Sequence, residues 1–527
     1  MNSIMGVSLI GFARGQVGGG ARPYDPNKRE FFGPEFTWAR PEEVSSAIQK
    51  AKDAAPVLAA LGHKPKSDFL QLIAKGIEDN SARIIELATR ETALPAGRIQ
   101  GEIGRTTGQL RLFAKLVEEG WWRDVRVDHA DPTRKPVPKP DVRSMLVPLG
   151  PVAVFSSSNF PLAFSVAGGD TASAFAAGCP VIVKAHQGHL ATSELVGTLI
   201  VDAVRQSGLP EGTFSLLFGP GRTVGIDLVT HPAIQAVGFT GSRSGGRALM
   251  DAAAARKQPI PVYAEMGSIN PMVILPGALV DRSQSLAVGL AGSVTLGNGQ
   301  FCTNPGLIIL EAGSQSDIFL QQLGSELAKV IPAAMLTESI CHEFIAGLAK
   351  FTELPEIKVH TRVDVTNGQV GPTLLTTSGQ DFLGQPALLE ELFGPTTIAV
   401  LCNGIEEIIE VVKALDGQLT GTIHAGPEDN PQIKILYPIL AGKVGRLVHN
   451  GFPTGVEVCH AMNHGGPYPA SADGRSTSVG TRAITRFTRP MCWQNFPECL
   501  LPEELKESNP LGLFRLVNGT WNKDLPE

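Results

Sequence analysis

Cys302 is the residue whose surroundings best suit chemistry. It sits in Gly297-Asn-Gly-Gln-Phe-Cys-Thr-Asn-Pro-Gly-Leu307, where small residues flank the thiol and Pro305 and Gly306 turn the chain after it. Thiolate is the reactive form of cysteine. Backbone N–H groups converging on such a turn can lower the thiol pKa and hold a developing oxyanion. The plainer reading is a small buried filler, the common fate of free cysteine. Glu265 ends the apolar run from Val262. A carboxylate among apolar neighbours gains proton affinity and can serve as a general base, or it can be a salt-bridged strand end. Asn159, in Ser156-Ser-Ser-Asn-Phe-Pro161, offers an amide that can donate to an oxyanion or cap a helix. Together the three would supply nucleophile, base and oxyanion donor.

A second group of residues suits an anion. Gly238-Phe-Thr-Gly-Ser-Arg-Ser-Gly-Gly246 joins an apolar strand to a helix, so Gly241, Ser242 and Gly246 lie where free N–H groups and a hydroxyl can meet phosphate. Any strand–helix turn also favours Gly and Ser. Lys184 ends a strand at the same sheet edge, placed for a ribose or phosphate or for a structural role. Glu391, in Glu390-Glu-Leu-Phe-Gly-Pro395, is a further loop carboxylate. No G-x-G-x-x-G follows a strand. Gly219-Pro-Gly-Arg222-Thr-Val-Gly225 comes nearest with the wrong spacing, so the usual dinucleotide fingerprint is missing.

These residues need elements to position them. Residues 1–40 are rich in Gly, Pro and aromatics and read as surface chain. Helical periodicity then covers Pro41 to Trp122. Four prolines between Asp131 and Pro140 exclude helix and lead into an extended Val142–Val147 segment. From Val152 to Glu265 strands alternate with helices, including one expected from Phe164 to Ala177. This is the pattern of a doubly wound parallel sheet, which binds nucleotides at the carboxyl ends of its strands. The alternation restarts after Asn270. Ala483–Phe496 reads as an exposed strand broken at Pro490, and 500–527 as a short helix with an irregular end.

The 527 residues suffice for several domains. Hydrophobic content of 43% with 18% charged residues is that of a globular protein, and the net charge of -6 without a basic stripe argues against nucleic acid. Seven scattered cysteines form no metal or disulfide pattern, so no metal is expected and a reducing, cytoplasmic setting fits. No run is long enough to span a membrane.

As a set, Asn159-Phe-Pro161, Lys184, Gly238-Phe-Thr-Gly-Ser242, Glu265-Met-Gly267, Gly299-Gln-Phe-Cys302 and Glu391-Leu-Phe-Gly-Pro395 resemble the aldehyde dehydrogenase superfamily, in its order and over roughly 40–490. Gln300–Gly306 with Asn450–Val456 is similar to the branch of 2,5-dioxovalerate (α-ketoglutarate semialdehyde) dehydrogenases and NADP-dependent fatty aldehyde dehydrogenase. The resemblance implies an α/β fold with two doubly wound Rossmann-like domains and a small β oligomerisation flap. Residues 1–123 and 148–265 would bind cofactor, 266–470 would be catalytic, 124–147 and 483–499 would form the flap, and 500–527 an extension. It implies that Cys302 attacks the aldehyde, Asn159 holds the oxyanion and Glu265 activates water. Ser242, Lys184, Glu391 and Phe393 would contact the coenzyme, and Phe160, Phe164, Phe452 and His464 the substrate. Where NAD-preferring members carry a glutamate, this chain has Gln187. With Arg222 this implies NADP over NAD. The implied partners are a small aldehyde and a second copy, as a homodimer or dimer of dimers. The expected substrate is 2,5-dioxopentanoate, whose carboxylate needs a cation or amide; Arg111 is one candidate, though a solvent-facing role suits it better. A fatty aldehyde is the alternative. A non-catalytic protein on this fold and a CoA-acylating enzyme are rivals, the latter opposed by Glu265.

Overall fold

The computed structural model describes residues 4–363 and 368–523. Its first sheet runs, in spatial order, Val262–Glu265, Ala236–Thr240, Val152–Phe155, Val181–Lys184, Phe214–Leu217, Leu9–Ile10 and Ala13–Arg14. The first five strands are parallel. The Val152, Val181 and Phe214 strands are buried at every residue, as expected where helices cover both faces. Val152 and Val154 point into the core beneath the N-terminal helices, and Ala153 and Phe155 into the core under Pro41–Ala59 and Arg243–Ala254. The strand order reverses at Val152–Phe155, so the carboxyl ends of all five parallel strands open on one edge. Phe155, Lys184, Thr240 and Glu265 are the last residues of four of them.

The N-terminal segment departs from the expectation of surface chain. Leu9–Ile10 pairs antiparallel with Phe214–Leu217, Val7 and Phe36 are buried, and the Phe36 ring meets Phe218 edge to face at 4.8 Å. Two-residue strands carry too little alternation to be read from sequence.

The helix expected from Phe164 spans only Gly169–Ala177. The chain before it is an irregular loop whose Leu162 and Ala163 N–H groups donate to Glu102 at 2.9 Å each. Glu102 lies on the Ala96–Glu119 helix and is fully enclosed. A carboxylate there satisfies two buried donors that a helix would otherwise have paired.

The second sheet runs Lys358–Arg362, Thr373–Ser378, Thr396–Cys402, Leu307–Glu311, Met272–Ile274, Gln418–His424 and Val444–His449. It is parallel except at its Lys358–Arg362 edge. Thr373–Ser378 is buried up to its last residue although four of its six residues are threonine or serine, which hid it from a hydrophobicity reading. The helix leading to Cys302 starts earlier than its apolar core suggested, at Pro276, and bends at Arg282.

A third sheet joins Thr488–Gln494, Val142–Pro148, Arg126–Asp128, Arg515–Val517 and Thr520–Asn522. Two expectations change here. The Thr488–Gln494 strand continues through Pro490, because it is the sheet's edge strand and a missing N–H costs no ladder bond there. The segment from 500, expected to be a separate extension with a helix, instead adds two strands to this sheet. Leu505 is buried against Met145 and Val125, and Arg143 donates to the Leu505 carbonyl at 2.6 Å. No helix among the described residues is long and apolar enough to cross a membrane.

Candidate active site

Cys302 follows a turn in which Gly297 and Asn298 are both left-handed, with φ of 58° and 55°. Gly299 (φ 69°) presses on the Gly394–Pro395 backbone, where a Cβ would fall 2.2 Å from the Gly394 carbonyl carbon. Only glycine fits there. Asn270 pins the turn from the other side. It is left-handed (φ 47°), fully buried, and its Nδ2 donates at 2.8 Å to the carbonyls of both Cys302 and Asn304. Asn159 comes from the loop after Val152–Phe155. One of its amide hydrogens is given to the Gln300 carbonyl at 3.0 Å. An amide carries two, so one remains for an oxygen beside the cysteine. The two sheets are thus joined at the thiol by side-chain amides.

Glu265 enters from the end of the first sheet and is 3% exposed. Its Oε2 accepts from Ser478 Oγ, and its Oε1 lies 2.9 Å from His464 Nε2. That approach is off the ring N–H direction, so it is a close electrostatic contact rather than an aligned hydrogen bond. The same Nε2 is 3.5 Å from Cys302 Sγ. His464, expected only as a loosely placed pocket residue, therefore stands between nucleophile and carboxylate. The sulfur, imidazole and carboxylate lie within 4.8 Å of one another, a spacing that would also suit a thiophilic cation, although the sequence spacing suggested no metal site.

The electrostatics are opposed in sign at the two ends of this group. Burial, then the negative charges of Glu265 and Glu391, push the Cys302 thiol well above its ordinary value, with Arg105 pulling the other way. Burial also acts to raise Glu265, but His464, Ser478 and Arg486 outweigh it, and the carboxyl lies below its usual range. Glu265 is thus ionised at neutral pH while the thiol is protonated.

Phe160, Ala163 and Phe301 form an apolar wall beside the cysteine, joined by Phe164. Phe160 meets Phe164 at 5.2 Å and Phe301 at 5.3 Å, and Phe164 lies 6.1 Å from the His464 ring. Phe452 packs in the hollow left by Gly289 and lies 5.3 Å from His424. Arg111 forms a two-pronged pair with Glu78 in solvent. It lies six residues beyond Arg105, which turns it to a different side of the helix.

The expected coenzyme contacts lie along the same strand edge. Lys184 is buried, and burial lowers its amine to about 8. Gln187 and Arg222 are exposed on the turns after their strands, and Arg222 has no ion-pair partner among the described residues. Ser242 caps the Arg243–Ala254 helix, its Oγ accepting from the Gly245 N–H at 3.2 Å. At Gly241 a Cβ would strike Phe239, and at Gly246 it would strike Met266, so the helix start lies close on the sheet. Exposed N–H groups, an adjacent hydroxyl and a buried unpaired amine fit a phosphate-bearing dinucleotide. Glu391 and Phe393 border a narrow cleft with Gly299 and Phe301 of the cysteine turn. Burial raises the Glu391 carboxyl to about 7, against a hydrogen bond from the Ser268 backbone.

Fold and site together define an oxidoreductase of the aldehyde dehydrogenase class, and the chain belongs to the aldehyde dehydrogenase family, whose profile matches residues 22–491. Among curated relatives it is 51% identical over 504 residues to alpha-ketoglutaric semialdehyde dehydrogenase 2 of Azospirillum brasilense, covering 95% of this chain and 96% of that one. It is 46% identical over 492 residues to alpha-ketoglutaric semialdehyde dehydrogenase of Acinetobacter baylyi, covering 93% of each. Lactaldehyde dehydrogenase from Escherichia coli has the same fold, with a TM-score of 0.79 at 20% identity over 93% of this chain and 98% of that one. So does betaine aldehyde dehydrogenase from Staphylococcus aureus, with a TM-score of 0.79 at 18% identity over 95% and 99%.

Sequence reading missed Asn270, Ser478, Glu102 and Arg105. A helical-spacing signal existed for one group: Arg98, Glu102 and Arg105 recur at i, i+4 and i+7 on one face. Ser478 acts only through tertiary contact.

The raised thiol makes a prediction. In the coenzyme-free protein, the rate at which iodoacetamide abolishes activity should climb by about tenfold per pH unit from neutrality to pH 9, because only thiolate reacts. A rate already flat above pH 7 would show that Cys302 is ionised in the resting state.

Proposed function

We propose that this protein oxidises 2,5-dioxopentanoate to 2-oxoglutarate with NADP, through a thioester on Cys302. The observation that carries the reading is the meeting of Cys302, Asn159 and the Glu265–His464 pair in one cleft at the strand edge. The substrate assignment is supported by the two relatives at 51% and 46% identity, whose names specify alpha-ketoglutaric semialdehyde.

In this mechanism the Cys302 sulfur gives up its proton to the neighbouring His464 imidazole and bonds to the aldehyde carbon, which leaves the Glu265 carboxylate ionised. The free Asn159 N–H and the Cys302 backbone N–H, which has no partner among the described residues, hold the resulting oxyanion. The bound nicotinamide coenzyme supplies an acceptor for the hydride and its two electrons, which leaves the carbon at the oxidation level of an acid. Glu265, ionised and buried, then takes a proton from water as its oxygen bonds to the thioester carbon, and the C–S bond breaks to return Cys302. Ser478 and His464 hold the carboxylate in place for this. Removing either catalytic carboxylate or thiol would cost about 10²–10⁴ in rate or more.

The coenzyme preference rests on Gln187 and Arg222. A neutral amide at 187 does not repel a 2′-phosphate, and the unpaired, exposed Arg222 can meet one. Lys184, Gly241, Ser242, Gly246, Glu391 and Phe393 would hold the rest of the dinucleotide. Seven free thiols suit a reducing cytoplasm. The open Thr488–Gln494 edge strand suits pairing with a second copy in a homodimer or dimer of dimers.

Steady-state assays with NADP and NAD test this. The protein should turn over 2,5-dioxopentanoate with a higher kcat/KM than hexanal or a long-chain aldehyde, and more efficiently with NADP. Arg222→Ala should raise the KM for NADP by about tenfold or more, the loss of one charged hydrogen bond, and leave that for NAD nearly unchanged. Equal effects on both coenzymes would remove Arg222 from 2′-phosphate recognition.

A further inference from the structure

We propose that Arg105 and Arg446 form the subsite for the carboxylate at the far end of the substrate, selecting short oxo acids over neutral aldehydes. The proposal rests on the semialdehyde reading above and names the residues that would enforce it.

Arg105 lies on the Ala96–Glu119 helix with its guanidinium 5.6 Å from the Phe164 ring centre and 6.0 Å from Phe160. One of its nitrogens donates to the Val456 carbonyl. Arg446 lies on Val444–His449, donates to Gly455 O at 3.0 Å and also to Pro453 O. The two arginines thus grip one short stretch, Pro453 to Val456. Each is half-buried, and the Nε of each is enclosed without a partner. Neither has a carboxylate at ion-pair distance among the described residues, whereas neighbouring Arg98 is paired with Glu102 at 2.7 Å. Both are within Coulombic reach of Cys302 and Arg446 also feels Arg105, while Arg105 has Glu102 and Glu265 as more distant counter-charges and Arg446 has none beside it among the described residues.

Holding carbonyls does not explain this arrangement. Neutral amides would hold them equally well, while two neighbouring half-buried cations repel each other and lose hydration. The cost is offset when an anion arrives, and guanidinium donors match a carboxylate in charge and in planar geometry. Arg105 borders the cluster of Phe160, Phe164 and Phe301, the last of which adjoins Cys302, and that cluster offers apolar surface for the methylenes that separate aldehyde from carboxylate. The class of substrate is therefore a short aliphatic chain with an aldehyde at one end and a carboxylate at the other.

The test is steady-state kinetics of the full-length protein with saturating NADP. Wild type, Arg105→Met, Arg446→Met and the two Lys variants would be compared on 2,5-dioxopentanoate and hexanal, with glutarate as a non-reacting competitor. Each Met variant should raise the KM for 2,5-dioxopentanoate and the inhibition constant of glutarate together, by about 10- to 100-fold, the range for a lost hydrogen bond to a charged group. The loss in kcat/KM on hexanal should be smaller by about tenfold, and Lys should recover part of the KM. If the Met variants lose both aldehydes by the same factor and bind glutarate as wild type does, the arginines only hold the loop and the proposal falls, with the substrate reading intact. If wild type itself prefers hexanal, the substrate reading fails and the subsite with it. Should a Met variant not fold, the Lys variants in the same assays decide: unchanged KM for 2,5-dioxopentanoate and hexanal, with wild-type response to glutarate in place of a partial loss confined to the acid, overturns the proposal.

Discussion

Two side-chain amides determine where the thiol stands. Asn270 ties the carbonyls of Cys302 and Asn304 to the start of the second sheet, and Asn159 ties Gln300 to the first. A turn with consecutive left-handed residues has no regular ladder to satisfy its carbonyls, so buried amides must do so. Because the donors come from different sheets, the cysteine turn forms only when both domains are in register. The oxyanion donor is then placed by the same bond that locates the nucleophile. Glu102 extends this outward, holding the Leu162 and Ala163 N–H groups of the Asn159 loop from the N-terminal helices.

The second constraint is electrostatic. A carboxylate, an imidazole and a thiol share one enclosed volume, with Glu391 close enough to act on the thiol. Burial, reinforced by the negative charge of Glu265, keeps the sulfur protonated, which protects a resting thiol from chance reaction. The same arrangement keeps Glu265 ionised, because Ser478, His464 and Arg486 stabilise its charge. The proposed first half-reaction therefore depends on moving one proton a short distance within the cluster, and the second on taking one from water at the same carboxylate.

Much of this was legible in the sequence where the chain punctuates itself. The Gly/Asn-rich turn marked Cys302, the alternation of apolar strands with helices marked both doubly wound sheets, and Glu265 and Asn159 stood out as polar residues ending apolar runs. The structure brings those three together with His464. What periodicity could not carry was tertiary. The Leu9–Ile10 strand is too short to alternate, Thr373–Ser378 hides its burial under threonine, and Gly169–Ala177 starts late because Glu102 takes the N–H groups before it. The segment after 500 reads as irregular because its strands are three residues long; Arg515–Val517 pairs with Arg126–Asp128, and Thr520–Asn522 pairs with Arg515–Val517. Arg111 shows the limit of assigning pocket residues by type, since its helix face directs it to Glu78 in solvent.

The central claim is that Cys302 carries the acyl group and the Glu265 carboxylate releases it. The direct measurement is mass spectrometry of Glu265→Gln, mixed with 2,5-dioxopentanoate and NADP and quenched in acid after the first rise of reduced coenzyme. The account predicts one equivalent of NADPH per site and one acyl group on the peptide that contains Cys302. Steady turnover at the wild-type rate with that peptide unmodified would contradict it.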